Sequence, residues 1–294
     1  MTQNSLQFKL SFSIKIIFLF SLLLVCLYLT TAICALVILK LGMTFTTLNI
    51  QIMLQNILAF AFPAVAVAYF SSKKPFHFLK LDKAPKLSHI AYLVLVYIVA
   101  IPVMNLIIDW NSNIHLPESM NALETLLREF EDSAKNLTDQ LTSTQSFFGL
   151  ISLVFTVGIL TGFGEEVFFR GMLTQAIIQK PCNKHIAIWI GAFVFSLMHF
   201  QFFGFVPRML LGAFFGYLLV WSDNLWIPII AHAINNSSAI IVKFLERQGM
   251  DTSSFDSIGT SNNMIWAAII SAIIVTALII YRNKFGFQKS IVND

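Results

Sequence analysis

The chain has 294 residues, of which 57% are hydrophobic and only 12% are charged, and its mean hydropathy is +0.76. Soluble domains carry roughly twice that share of charged residues, so the composition excludes a water-soluble globular protein. The formal net charge of +4 does not imply a nucleic-acid partner, because the basic residues lie in the loops where membrane topology places them.

Apolar runs predict an all-α, polytopic membrane protein with about eight transmembrane helices, since about 20 apolar residues cross a bilayer. The runs lie at about residues 16–39, 52–71, 88–109, 146–163, 185–203, 205–222, 227–245 and 263–281. The first run is too long for a cleaved signal peptide and lacks a convincing cleavage site, so we expect it to be retained. The helix of the fourth run is expected to continue to Lys180.

The charges of the loops predict the orientation of the chain. Five lysines lie between Lys73 and Lys86, and three basic residues lie between Arg282 and Lys289. The segment 109–139 instead holds seven acids against two basic residues. We therefore expect both termini on the cytoplasmic side, in a bacterial cytoplasmic membrane, because a short chain without appended domains is typical of bacteria.

The segment from Met120 to Leu141 has apolar residues at alternating steps of three and four, with acids between them. This periodicity predicts an amphipathic helix. A helix that lies on anionic lipid is usually basic. Because this helix is acidic, packing against the protein is preferred to the alternative of lying on the outer membrane surface.

The stretch GFGEEVFFRGM places charged residues inside an apolar surrounding, where each costs about 2.5–3.5 kcal/mol on insertion scales. Glu166 and Arg170 are four residues apart, so they share a helix face and can form a supporting ion pair. Glu165 points about a hundred degrees away. It is therefore a spare carboxylate that can face a cavity and act as a general base.

Two later motifs add polar side chains to the fifth and seventh predicted spans. FSLMH places Phe195 and His199 one turn apart, and HAINN places His232 and Asn236 on one side of a helix, with Asn235 turned away. Each motif alone is equally typical of hydrogen bonding between helices. All three motifs together favour a shared, water-containing cavity.

A carboxylate, two imidazoles and a carboxamide can hydrolyse an amide without a covalent intermediate. Glu165 would take a proton from a water oriented by His199, and His232 and Asn236 would donate hydrogen bonds to the oxyanion. Alternatively, Glu165, His199 and His232 are a possible ligand set for zinc. Because no HExxH motif is present, a mechanism without metal or other cofactor is preferred.

EEVFFR, FSLMH and HAINN resemble the ordered motifs EExxxR, FxxxH and HxxxN of the CPBP family, which comprises CAAX prenyl proteases and bacteriocin-processing (Abi) proteins. The resemblance implies an eight-helix intramembrane endopeptidase that acts within the lipid bilayer on a peptide or protein substrate. That substrate is lipid-modified in eukaryotic relatives and varied in bacterial ones.

By motif position, the resemblance makes Glu165 the catalytic base and His199 its partner. It places His232 and Asn236 at the oxyanion site, with Glu166 and Arg170 in support. Within one membrane domain we therefore expect three segments. These are the first three spans with the acidic loop helix (1–145), a CPBP-like catalytic core (146–245), and the last span with a basic cytoplasmic tail (246–294).

Two other functions fit part of the pattern. A proton-coupled transporter uses buried glutamate and histidine as a relay, but it predicts inverted repeats, whereas these polar residues crowd one half of the chain. A non-catalytic scaffold or immunity factor of the same family would act through helix contacts. The presence of Glu165, His199 and His232 favours catalysis over that alternative.

Overall fold

A computed structural model of the chain describes residues 10–180, 183–260 and 264–286, and these residues form helices without any β-strand. Nine long helices are found in these ranges. They are α1 (Phe12–Leu41), α2 (Phe45–Ser71), α3 (Leu87–Ser112), α4 (Asn121–Leu141), α5 (Phe147–Ile178), α6 (Lys184–Leu197), α7 (Phe205–Ser222), α8 (Trp226–Arg247) and α9 (Ile265–Gly286). The predicted basic tail beyond Gly286, including Lys289, lies outside the described residues.

Seven of the described helices are long and apolar enough to cross a membrane, namely all except α4 and α6. The all-α, polytopic prediction is therefore confirmed, and α5 extends almost to Lys180 as expected. The predicted fifth span of 185–203 is shorter in the structure, because α6 has only 14 residues and ends at Leu197. The chain turns there through Phe200, whose φ is 54°.

Helix α5 is the centre of the bundle, and α2, α6 and α8 pack around it. Two π-helical segments, Val154–Leu160 and Val167–Thr174, flank the short α-helical stretch that carries both glutamates. Every side chain of the second π segment is buried. A Cβ atom on Gly162 would lie 3.0 Å from the backbone nitrogen of Ala233. The backbone of α8 therefore approaches α5 closely, directly beside the glutamates.

Polar side chains join α2 to α5 at two positions along the helices. Thr156 Oγ1 donates a 2.7 Å hydrogen bond to Asn49 Oδ1. Asn56 Nδ2 donates a 2.9 Å bond to Thr161 Oγ1. These bonds satisfy polar groups that would otherwise face hydrocarbon, and they hold α2 against α5.

Contacts between helix ends gather the predicted cytoplasmic segments at one end of the bundle. Lys15, near the start of α1, donates to Gln179 just after α5 with an Nζ–Oε1 distance of 3.2 Å. Lys80, in the lysine-rich loop, pairs with Asp223 after α7 at an Nζ–Oδ1 distance of 2.9 Å. Lys15 Nζ also lies over the ring of Phe78 in that loop, 5.3 Å from the centroid, so the start of α1 and the lysine-rich loop lie at the same end of the bundle.

The acidic helix α4 lies at the opposite end of the bundle, and its amphipathic periodicity is as predicted. Its last residue, Leu141, packs in a buried apolar cluster with side chains of α2, α5 and α8. Arg128 lies over the ring of Phe203, 4.1 Å from the centroid. The predicted packing against the protein is therefore present at these places, but Leu126 and Phe130 between them remain 46% and 48% exposed.

Candidate active site

Glu166 is the central residue of a buried polar cluster between α5 and α8. Its Oε1 accepts a 2.8 Å hydrogen bond from Arg170 Nη1 and a second 2.8 Å bond from His232 Nδ1. All three side chains are almost completely buried. The predicted Glu166–Arg170 ion pair is confirmed, and it also holds the histidine of the third motif.

Arg170 is enclosed by groups that suit a guanidinium. Its Nη2 donates a 2.8 Å hydrogen bond to the carbonyl oxygen of Gly212 on α7. A Cβ atom on Gly212 would lie only 3.0 Å from that Nη2, so the glycine makes room for the cation. The ring of Phe195 lies 4.5 Å from the guanidinium carbon, a cation–π distance. Burial of this charge is therefore compensated on several sides.

Glu165 is a neighbour of this cluster and is not part of its ion pair. Its side chain is 12% exposed, and its Oε2 lies 3.8 Å from His232 Nε2. The same Oε2 is shielded from solvent and has no hydrogen-bond partner. The sequence-based prediction of a spare carboxylate beside the pair therefore agrees with this geometry.

His199 lies in the turn that follows α6, beyond the helix on which it was expected. Its Nδ1 is 2.8 Å from the carbonyl oxygen of Phe195. Because a carbonyl only accepts, Nδ1 carries the hydrogen, and Nε2 is left as an acceptor in the neutral ring. The ring of Phe195 contacts both His199 and His232, with centroid distances of 5.0 and 5.9 Å.

Asn236 lies one turn beyond His232 on α8. Its Nδ2 donates a 3.0 Å hydrogen bond to the carbonyl oxygen of Val157, in the first π segment of α5. Its Oδ1 accepts from Asn235 at 3.2 Å. A carboxamide nitrogen carries two hydrogens, so one remains for a further acceptor.

Arg208 on α7 is a neighbour of the site that was not predicted. Its Nη2 donates a 2.8 Å hydrogen bond to Gln201 Oε1, and Gln201 Nε2 donates to Glu131 of α4 at 3.2 Å. The charge of Arg208 acts on both Glu165 and His199. An arginine within the apolar run FGFVPRMLLGAFFG is itself a signal of function, since intramembrane charges are costly.

The possible zinc ligands Glu165, His199 and His232 do not converge. No group of three His, Cys, Asp or Glu side chains in the described ranges is arranged to hold a metal ion. The bond of His232 Nδ1 to Glu166 leaves Nε2 as the ring nitrogen that could ligate a metal. It is therefore the placement of the three side chains that does not fit a three-ligand zinc site.

Residues 147–238 match the family model described as type II CAAX prenyl endopeptidase Rce1-like. The Bacillus subtilis (strain 168) protein YpbD, described as uncharacterized, is 29% identical over 80 residues, which cover 26% of this chain and 38% of YpbD. The chain thus aligns with less than half the length of this curated relative. No solved structure gives a significant match.

The matched segment starts with α5 and contains all three motifs, from EEVFFR to HAINN. The family match thus confirms the resemblance that these motifs indicate. In residues 147–238 the chain contains an Rce1-like domain of the CPBP/CAAX protease family.

Proposed function

We propose that the chain is an intramembrane endopeptidase that hydrolyses a peptide bond with a water molecule activated by Glu165. The observation that carries this proposal is the difference between the two adjacent glutamates. Glu166 accepts hydrogen bonds from Arg170 and His232, whereas Oε2 of Glu165 is buried, unpartnered and 3.8 Å from His232 Nε2. Oε2 of Glu166 is unpartnered as well, but that carboxylate already accepts two hydrogen bonds, whereas Glu165 accepts none from the described residues. Glu165 is therefore the carboxylate that is available to take the proton of a water molecule.

In this mechanism His199 orients the water. Its Nδ1 hydrogen is bonded to the Phe195 carbonyl, so its Nε2 can accept a hydrogen bond from the attacking water. The water oxygen forms a bond to the carbonyl carbon of the substrate while Glu165 takes one of its protons. Glu165 then returns that proton to the leaving amine as the carbon–nitrogen bond breaks.

The oxyanion formed by this attack needs hydrogen-bond donors. His232 donates its Nδ1 hydrogen to Glu166, so it must carry a second proton on Nε2 to serve as a donor. Glu166 and Glu165 lie on either side of the ring and supply the negative charge that balances such an imidazolium. Asn236 supplies the second donor through the Nδ2 hydrogen that is not bonded to Val157.

The proposed substrate is a peptide or protein that reaches the site from the bilayer, because Glu165 on α5 and His232 and Asn236 on α8 belong to helices that are long and apolar enough to cross a membrane. The proposed location is a bacterial cytoplasmic membrane with both termini in the cytoplasm. The contact of Lys15 Nζ with the ring of Phe78 supports this orientation, since it places the start of α1 beside the lysine-rich loop.

Cleavage of fluorogenic peptides by the purified protein in lipid vesicles tests the proposal. We expect Glu165→Gln and His199→Ala to lower kcat by about 10²–10⁴-fold, the usual contribution of general acid–base catalysis. Glu129→Gln, which changes an exposed carboxylate on α4, is the matched control and should cleave like the wild type. Wild-type rates in both site variants would exclude this mechanism.

A further inference from the structure

Arg208 is a shielded cation whose hydrogen-bonding capacity is mostly unused. Nη2 donates to the neutral side chain of Gln201, but Nη1 is buried and has no hydrogen-bond partner. In the part of the chain that the structure describes, no carboxylate lies within 4.0 Å of this guanidinium. An arginine carries five N–H donors in a planar fork, so one edge of the fork is free.

Two carboxylates flank Arg208 without contacting it. Glu131 and Glu165 are the acids whose charges act on the guanidinium. Each of them has an Oε2 atom that is buried and unpartnered, as is Nη1 of Arg208. Buried polar atoms are nearly always paired, so several unpaired atoms of both charges next to a catalytic centre indicate a place where a polar ligand binds.

The surroundings hold the guanidinium in one position. Gln201 fixes one edge, and Gln201 itself is bonded to Glu131. A Cβ atom on Gly204 would lie 3.0 Å from Nη2, so the loop backbone packs directly against the cation. A cation held in this way loses little freedom when it binds a ligand.

We propose that Arg208 binds a carboxylate of the peptide substrate beside the Glu165 centre, which makes it a specificity-determining residue. This inference rests on the proposed function, because Glu165 and His199 then define where the scissile bond lies. A singly charged carboxylate fits better than a doubly charged phosphate, since Glu131 and Glu165 already bring negative charge to the space. The carboxylate belongs either to an acidic side chain or to the C-terminus of the substrate.

The experiment measures peptide binding in the Glu165→Gln background, so that it does not depend on cleavage. Three dansylated apolar hexapeptides of one sequence are compared by fluorescence anisotropy. One has a free C-terminal carboxylate, one has a C-terminal carboxamide, and one has a carboxamide and a single internal glutamate. We expect one of the two carboxylate peptides to bind about ten- to hundredfold more tightly than the neutral peptide, and its identity reveals the source of the carboxylate.

Two further variants have opposite expected effects. Arg208→Gln should abolish the preference for the carboxylate peptide, whereas Glu131→Gln should increase it by removing a competing negative charge. Because the second change strengthens binding, loss of folding cannot imitate it. Arg282→Gln, which changes an arginine that lies over Tyr92 on another part of the bundle, is the matched control and should leave the preference unchanged.

Three results would overturn the inference. The first is equal binding of all three peptides, and the second is a failure of all three to bind. The third is a uniform loss of affinity for every peptide in Arg208→Gln, which would instead indicate that Arg208 balances the charge of the centre. A wild-type protein that binds the carboxylate peptide selectively but cleaves no peptide would refute the proposed function and leave the carboxylate site intact.

Discussion

His232 Nδ1 and Glu166 Oε1 are joined by a buried 2.8 Å hydrogen bond that links α8 to α5. The bond fixes the orientation of the imidazole, and its Nε2 is therefore turned toward Glu165. The adjacent carboxylates thus differ in role, because Glu166 accepts hydrogen bonds from Arg170 and His232 whereas Glu165 accepts none from the described residues. This difference separates the variants expected to lose stability from those expected to lose activity.

Glu166→Ala should destabilise the protein strongly. The change leaves Arg170 buried without its carboxylate and removes the partner of His232, and breaking a buried ion pair costs about 3–5 kcal/mol. The midpoint of thermal unfolding in detergent should fall, and the yield should fall with it. Glu165→Ala is the comparison, since its Oε2 has no partner to lose. Equal midpoints for the two variants would contradict the structural role of Glu166.

The position of His199 predicts which amide can replace it. In the neutral ring Nδ1 donates to the Phe195 carbonyl and Nε2 is the free acceptor. A glutamine places its amide near the position of Nε2, whereas an asparagine reaches only the position of Nδ1. His199→Gln should therefore retain more activity than His199→Asn, as measured by kcat on one fluorogenic peptide. Higher activity in the asparagine variant would show that Nδ1 has the catalytic contact.

Local spacing predicted those parts of the site that lie within one helix. The four-residue step from Glu166 to Arg170 predicted their ion pair, and this pair survives because neighbours on one face remain close even in the π segment. The amphipathic helix α4 followed from hydrophobic periodicity, and most of the spans followed from the length of the apolar runs.

Contacts between distant segments could not be predicted from the sequence. The turn that ends α6 at Leu197 follows an apolar run without a break, so the sequence predicted a longer helix and placed His199 within it. The Gln201–Arg208 bond and the bond of Asn236 to Val157 depend on how α5, α7 and α8 pack. Periodicity within one helix carries no information on these partners.

Chelation should leave peptide cleavage unchanged. The mechanism proposed here places Glu165 and His199 on a water molecule, and the donors of Glu165, His199 and His232 do not converge on a metal position. Activity after treatment with 1,10-phenanthroline should equal that of the untreated protein, and zinc measured by mass spectrometry should be well below one ion per chain. Loss of activity that zinc alone restores would replace this mechanism with a metal-dependent one.

The loop before α4 should stay docked until strongly acidic pH. The backbone N–H of Leu116, together with Arg128 and His115, lowers the pKa of Glu124 from 4.5 to about 2. When the pKa of a carboxyl group is lower in the folded state than in the unfolded state, its ionised form stabilises the fold. This stabilisation is complete above the unfolded-state pKa, and it is lost as the pH falls through the folded-state pKa. The contribution of Glu124 should therefore be constant from pH 7 to about 5 and should decline between about 4.5 and 2.

Hydrogen exchange over residues 114–128, corrected for the intrinsic pH dependence of exchange, measures this docking. Glu124→Gln keeps the shape of the side chain but removes its charge, so the amides of residues 114–128 should exchange faster than in the wild type at pH 7. Because the variant has no carboxyl group at position 124, this exchange should show no further increase between pH 5 and 3. Protection in the wild type that is already lost at pH 5 would show that the carboxylate of Glu124 does not hold the loop, because that group is still ionised at this pH.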